Sequence, residues 1–332
     1  MLHRALGTTG PQVSALGLGC MGMSALYGPA DRDESLATVH AALEAGITLL
    51  DTGDFYGMGH NELLLRDALR HHRRDEVQLS VKFGALRRPD GTFLGYDGRP
   101  EAVHTSLAYS LQRLGTDHID VYRIARCDPQ VPIEETVGAI SEAVSAGYVR
   151  HIGLSEAGCD SIRRAAAVAP IADLQIEYSL LGRGIEAHIL PVCRELGIAT
   201  TAYGVLARGL ISDNWPRGRA FTPDDVRGHT PRYTGANAEY NLDLVETVRA
   251  LAKERGTTVA QTAIAWALAK GPDIVPLIGA RTRERLAEAL GALDTPLSPE
   301  ELTRIEEAIP PDAARGDRYP ADQMRYLAPH TP

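Results

Sequence analysis

Only four cysteines occur in the 332 residues, Cys20, Cys127, Cys159 and Cys193, and no two share the CxxC spacing of a metal or redox pair. That scarcity excludes a disulfide scaffold. The thiols read as buried free cysteines of a reducing compartment, so the chain is expected to be cytoplasmic. No apolar run reaches the ~18–20 residues of a membrane span, and the opening Met1-Leu2-His3-Arg4 lacks the apolar core of a signal peptide. Basic charge is short as well. Lys and Arg number 34 against 43 Asp and Glu, a net charge of −9, the opposite of a nucleic-acid binder's basic footprint. Also missing are low-complexity tracts, any Pro/Ser-rich linker, and any repeat beyond the strand–helix unit described next.

What remains is an ordinary globular composition, 44% hydrophobic and 23% charged, in a chain long enough to bury about 75% of its unfolded surface. Length alone would allow two domains of ~150 residues. Without a linker, residues 1–332 are read as one domain.

Short apolar runs alternate with amphipathic stretches along the whole chain. Strands are expected at 13–19, 47–51, 77–82, 119–124, 149–154, 171–176, 199–203 and 274–278. Helices are expected at 33–45, 61–70, 100–114, 132–146, 160–168, 185–196, 241–254, 259–270 and 282–290, the first with Asp33 as cap. Eight strand–helix units point to a closed parallel (β/α)₈ TIM barrel, an α/β fold, rather than an open doubly wound sheet. An extra helix at 298–309 and a Pro-bearing irregular tail (Pro320, Pro329, Pro332) close the chain.

Two motifs are decoys. Gly17-Leu18-Gly19-Cys20-Met21-Gly22 fits GxGxxG, but a dinucleotide fingerprint needs a helix to open within the glycines, and Pro29 and a loop intervene. A strand end where a ligand approaches the backbone of Gly19, Cys20 and Met21 is the better reading. Gly153-Leu154-Ser155-Glu156-Ala157-Gly158 lacks the spacing of a GxSxG nucleophile elbow. No metal site is expected, since His71 and His72 are adjacent rather than one helical turn apart.

The chemistry lies at the strand ends, which converge on one mouth in such a barrel. Asp51 closes the second strand and Tyr56 follows in Asp51-Thr52-Gly53-Asp54-Phe55-Tyr56-Gly57; Lys82 closes the third. A buried ammonium needs an anion, and Asp51 can supply it. Lys82 then stands beside the Tyr56 hydroxyl, where a cation favours the phenolate. A tyrosine so placed can hand a proton to a carbonyl oxygen that gains charge during hydride transfer.

These residues, with Leu6-Gly7-Thr8-Thr9-Gly10, Gly59-His60-Asn61-Glu62, Lys82-Phe83-Gly84, residues 111–120 and 128–138, Gln175-Ile176-Glu177-Tyr178-Ser179 and 279–290, make the chain resemble the aldo-keto reductases over nearly its whole length, most closely their bacterial and plant branch. The resemblance implies an NADPH-dependent oxidoreductase that reduces an aldehyde or ketone, a small-molecule carbonyl substrate. It implies Tyr56 as general acid, Lys82 as the cation that lowers its pKa, and Asp51 as the anchor of Lys82. It implies Ser155, Glu156 and Gln175 around the nicotinamide carboxamide and Tyr203 stacked on the ring. Leu206, Arg208 and Gly209 fall at the pyrophosphate loop. Gly279, Arg281, Arg285 and Glu288 fall at the adenosine 2′-phosphate site.

One position departs from that pattern. The family's histidine at the end of the fourth strand is Ala125, which cannot donate a hydrogen bond to the substrate carbonyl. Losing one such donor typically costs about 10²–10³ in rate, so a slow enzyme is expected. Arg123 lies on the same strand face and is expected to enter the vacated space and pair with Asp51 or another mouth carboxylate, unless it snorkels to solvent. Trp215, in the long loop 211–236, is a lid, a substrate wall or a loop anchor. The missing histidine leaves two further readings open: a cofactor-binding redox sensor or regulatory subunit with little turnover, or a reductase of C=C or C=N bonds. Substrate identity and oligomeric state are not encoded in any pattern.

Overall fold

The computed structural model describes residues 1–24 and 26–327, so Pro329 and Pro332 lie outside the described residues. Two short strands, β1 (His3–Ala5) and β2 (Gln12–Ser14), pair antiparallel. Next come β3 (Gly17–Gly19), α1 (Arg32–Glu44), β4 (Leu49–Gly53), α2 (His60–Leu69) and β5 (Gln78–Phe83). A hairpin of β6 (Ala85–Arg87) and β7 (Phe93–Tyr96) follows β5. The alternation resumes with α3 (Pro100–Leu114), β8 (Ile119–Ile124), α4 (Ile133–Ser145), β9 (Val149–Ser155), α5 (Cys159–Val168) and β10 (Ile171–Glu177). It ends with α6 (Ile189–Glu195), β11 (Ala199–Tyr203), α7 (Gly235–Arg255), α8 (Val259–Ala269), β12 (Ile274–Ile278), α9 (Arg283–Leu290), α10 (Pro299–Ala308) and α11 (Ala321–Met324).

Eight of these strands close a parallel barrel in the order β3-β4-β5-β8-β9-β10-β11-β12. The (β/α)₈ fold is therefore as expected, with four local corrections. The run 13–19 is not one strand: it divides into β2, in the hairpin, and β3, in the barrel. Ser14 causes the break, because its hydroxyl donates to the Leu16 carbonyl (2.7 Å) and accepts from the Thr48 backbone (2.9 Å). Asp31, not Asp33, caps α1, accepting from the Glu34 N–H at 2.7 Å. The sixth helix begins at Ile189 rather than 185. The tail contains α11 instead of being irregular throughout.

The barrel interior is layered. Leu49, Val121, Ala199, Val275 and Leu277 point inward and form an apolar cluster closed by Leu6 and Val13 of the N-terminal hairpin segment. Above it the inward positions turn polar: Asp51, Arg123, Asp173 and Thr201 are buried side chains. This apolar plug below and polar layer above direct the charged groups to one mouth. Among the described residues, no helix is long and apolar enough to cross a membrane.

Candidate active site

Strand register sets the site. Gly19 pairs with Asp51, Gly53 with Lys82, Lys82 with Arg123, Ser155 with Gln175, and Glu177 with Tyr203. The C-terminal ends of seven strands thus share one level.

Asp51 is the hub. Its Oδ1 accepts from Lys82 Nζ at 2.5 Å, and its Oδ2 accepts from Ser80 Oγ at 2.8 Å and Gln175 Nε2 at 2.7 Å. Burial pushes the Lys82 ammonium toward neutrality; Asp51 resists this and the Arg123 charge adds to it. Lys82 Nζ lies 5.1 Å from the centroid of the Tyr56 ring. Tyr56 is buried, and burial, followed by the Asp51 charge, holds its hydroxyl protonated well above the ordinary phenol value. The guanidinium of Arg126 works in the opposite sense. Asp51, Lys82 and Tyr56 do lie together, but the expected lowering of the Tyr56 pKa by Lys82 is not seen: burial and the Asp51 charge dominate, and the resting phenol is protonated.

Arg123 is fully buried and extends inside the barrel. Its Nη2 donates to both oxygens of Asp173, at 2.7 and 2.9 Å, and its Nη1 stands 3.9 Å from Asp51 Oδ2. Thr201 completes the carboxylate's shell. The expected ion pair exists, but neither the snorkel to solvent nor a place in the substrate pocket does. The reason is Gly153: a Cβ there would lie 2.6 Å from Arg123 Nε and 2.5 Å from Asp173 Oδ1, so the glycine leaves the volume the pair occupies. Ala125 is buried at the strand end, its N–H bonded to the Phe83 carbonyl.

Glu156 adopts φ +52°, a conformation that is costly for a non-glycine residue. Its carboxylate accepts from Tyr203 Oη at 2.7 Å, from the Glu177 N–H at 3.0 Å and from both terminal nitrogens of Arg318. Burial opposes the charge, but Arg318 outweighs it and holds the carboxyl below the usual range. Tyr203 also meets Tyr319 Oη at 3.0 Å. The tail therefore crosses the mouth above the Tyr203 ring. It is fixed by paired hydrogen bonds between Asn241 and the Arg315 backbone, and by Gly316, where a Cβ would come within 2.8 Å of the Arg232 N.

The long loop does not leave Trp215 free as a lid. That indole is buried against Phe221 and Tyr233, with Arg219 over its ring at 4.7 Å: an anchor. Leu206, Arg208 and Gly209 form a tight turn after β11, with Arg208 at φ +54°. Arg208 stacks on Tyr319 at 4.3 Å. Arg227 donates to the Arg208 carbonyl (3.1 Å) and binds Asp225, and Arg281 donates to the Tyr27 carbonyl at 3.2 Å. Burial and the Arg227 charge depress both Arg219 and Arg281. Among the described residues, Asp225 is the carboxylate in ion-pair contact with this group of four arginines. Such an excess of confined positive charge fits the phosphates of a dinucleotide. Gly279 faces open space. Arg285 and Glu288 lie on α9 and bond each other at 2.9 Å, and of the expected cofactor residues they are the least gathered. Gly19 ends β3, Cys20 is sealed with its N–H on the Asp51 carbonyl, and Met21 opens a short 3₁₀ turn, so no helix rises from the glycine motif.

Sequence reasoning missed Asp173, Arg126, Arg318 and Tyr319. Asp173 carried a readable signal, a carboxylate two positions before Gln175 inside a strand. Arg318 carried none, being 162 residues from its partner.

Comparison with known proteins identifies the family. The aldo/keto reductase family model matches residues 15–310. A probable aldo-keto reductase from Glycine max is 41% identical over 317 residues, covering 95% of this chain and 90% of that protein. The glycerol dehydrogenase AKR11B4 from Gluconobacter oxydans superposes with a TM-score of 0.83 at 29% identity, over 92% of this chain and 94% of that one. The aldo-keto reductase AKR11C1 from Bacillus halodurans, a holo form, gives 0.76 at 27% identity over 98% and 99%. The chain belongs to the aldo/keto reductase family. As such it is an oxidoreductase of carbonyl compounds, in a family that uses nicotinamide cofactors.

Proposed function

We propose that this protein reduces an aldehyde or ketone to the alcohol with NADPH, with Tyr56 as the proton donor. The observation that carries the reading is the Asp51–Lys82–Tyr56 arrangement at the ends of two adjacent strands, with the phenol protonated by its own burial. When bound, the reduced nicotinamide supplies a hydride to the carbonyl carbon. Tyr56 gives its proton to the carbonyl oxygen as charge develops there. Lys82 and Arg126 stabilise the phenolate that remains, and solvent returns the proton. Asp51 keeps Lys82 charged in a dry site. Arg208, Arg219, Arg227 and Arg281 would hold the phosphates, and their excess charge favours the additional phosphate of NADPH over NADH. Ser155 and Gln175 would face the carboxamide, and Tyr203 the ring. Small carbonyl compounds are the substrate class.

The test is NADPH oxidation against a panel of aldehydes, ketones and enones, with Tyr56→Phe as control. Removing a general acid costs about 10²–10⁴ in kcat, while cofactor Kd should stay within a factor of two or so. A Tyr56→Phe protein that keeps wild-type turnover refutes the assignment, and tight cofactor binding without any turnover favours a sensor.

A further inference from the structure

The charged groups of the mouth are balanced with one exception on the substrate side. Lys82 has Asp51, Arg123 has Asp173, Arg318 has Glu156, and Arg232 has Glu177. Arg126 has no carboxylate within ion-pair distance among the described residues. Its Nη1 donates to the Ala125 carbonyl at 2.6 Å and stands 3.5 Å from Ser155 Oγ; its Nη2 donates to Tyr319 Oη at 3.2 Å. The guanidinium is folded back over the end of β8, beside the alanine, and lies 5.6 Å from the centroid of the Tyr319 ring. Its field reaches the Tyr56 hydroxyl. Arg208 also lacks a carboxylate, but it belongs to the group of four arginines proposed above for the cofactor phosphates.

Burial opposes the Arg126 charge, and Tyr203, Tyr319 and, beyond ion-pair distance, Glu156 offset it, so the guanidinium stays charged with no carboxylate seated on its fork, and such a fork is suited to two oxygens of one ligand. We propose that Arg126 binds the carboxylate of a 2-oxo acid and so defines the substrate class of this site. The inference rests on the reductase reading above. The carboxylate takes the Arg126 fork, and the adjacent keto oxygen turns toward Tyr56. Arg126 then polarises the substrate beside the reacting carbonyl, at the point where Ala125 offers no donor. Tyr319, which lies beyond the span matched by the family model, holds the guanidinium in place. The chemistry is balanced: hydride to the keto carbon, the Tyr56 proton to the keto oxygen, and a 2-hydroxy acid as product, with the carboxylate unchanged.

The experiment compares phenylglyoxylate, its methyl ester and 4-nitrobenzaldehyde as substrates of the wild type, Arg126→Gln and Arg126→Lys, with NADPH. A charge-assisted pair predicts kcat/KM for the acid about 10–100-fold above the ester in the wild type. That preference should vanish in Arg126→Gln and survive in part in Arg126→Lys; loss of the Arg126 charge beside Tyr56 slows all three substrates together, so the acid-to-ester ratio, not the absolute rate, is the readout. Calorimetry with benzoate, which cannot be reduced, gives a readout independent of turnover: binding by the wild type and loss of binding by Arg126→Gln are expected. Tyr56-dependent turnover with no preference for the acid, or a benzoate affinity unmoved by Arg126→Gln, overturns the substrate class and leaves the reductase reading standing. No turnover of any of the three by folded, cofactor-binding protein overturns the reductase reading and this inference with it.

Discussion

Arg123→Met isolates the buried ion pair. Met has a similar length and no charge, so the substitution keeps most of the packing and strips Asp173 of its partner. What remains on that carboxylate is the Thr201 hydroxyl. Removing one partner of a buried pair costs about 3–5 kcal/mol. With ~2.1 cal/mol/K of unfolding entropy per residue, the 332-residue chain loses roughly 0.7 kcal/mol per degree, so Tm should fall by about 4–7 °C. The loss has a pH signature. Burial already raises the Asp173 pKa above the ordinary value despite Arg123, and without the guanidinium it rises further. A carboxyl whose folded pKa is raised binds more protons in the folded state, so stability falls as pH rises through the interval between the two pKa values. The deficit of Arg123→Met should therefore be smaller at pH 5 than at pH 8. The double variant Arg123→Met/Asp173→Asn, which leaves no buried charge, should recover most of it. Thermal melts of the four proteins at both pH values decide the matter. A single variant within a degree or so of wild type, or a deficit larger at pH 5, would refute the reasoning.

Gly153→Ala places a methyl 2.5 Å from Asp173 Oδ1 and 2.6 Å from Arg123 Nε; overpacking of this kind costs about 1–3 kcal/mol, measurable by urea denaturation. Asp54 is half-buried, with Oδ1 buried and unbonded, and burial followed by the Glu62 charge pushes its carboxyl up to about 7. Wild-type stability should therefore drop as pH rises toward that value, and Asp54→Asn should remove this component and be the more stable protein at pH 8 relative to pH 5. Arg318→Ala leaves Glu156 buried with the Tyr203 hydroxyl and one backbone N–H. The tail should then lift from the mouth, seen as faster tryptic cleavage at Arg315 and Arg325 than in the wild type.

The barrel was legible because its strands are short apolar runs cut off by turn residues. Residues 199–203 and 274–278 coincide with β11 and β12 to the residue. The opening run was misread for a physical reason. Apolar residues face inward both in the plugging hairpin and in the barrel, so hydrophobicity alone does not reveal that Ser14 turns the chain between them. Asp51 and Lys82 were legible because a charge that ends an apolar strand has few places to go. The hairpin of β6 and β7 and the tail over the mouth were not, since their order depends on distant groups: Tyr326 against Phe93 and Tyr96, Arg318 on Glu156. Trp215 was undecidable from sequence because an indole in a loop packs equally well as lid or anchor. Only the positions of Tyr233 and Arg219 settle it.

If the proposed reading holds, the two arginines around Ala125 divide what one imidazole would do. Arg123 lies beneath the alanine on the inward face. Its charge stands 3.9 Å from Asp51, on the carboxylate oxygen opposite the one that holds Lys82. Asp51 is the nearby charge that most opposes ionisation of Tyr56. A cation that shares Asp51 weakens that opposition, so Arg123 eases proton donation without approaching the substrate. It also lowers the proton affinity of Lys82. Arg126 follows the same strand end, with Nη1 on the Ala125 carbonyl and Nη2 on Tyr319 Oη. On the proposed reading, proton transfer is adjusted from below and the substrate oxygen is met from above. Because Ala125 carries no imidazole, a reductase built this way should carry no imidazole ionisation at that position in its pH–rate profile.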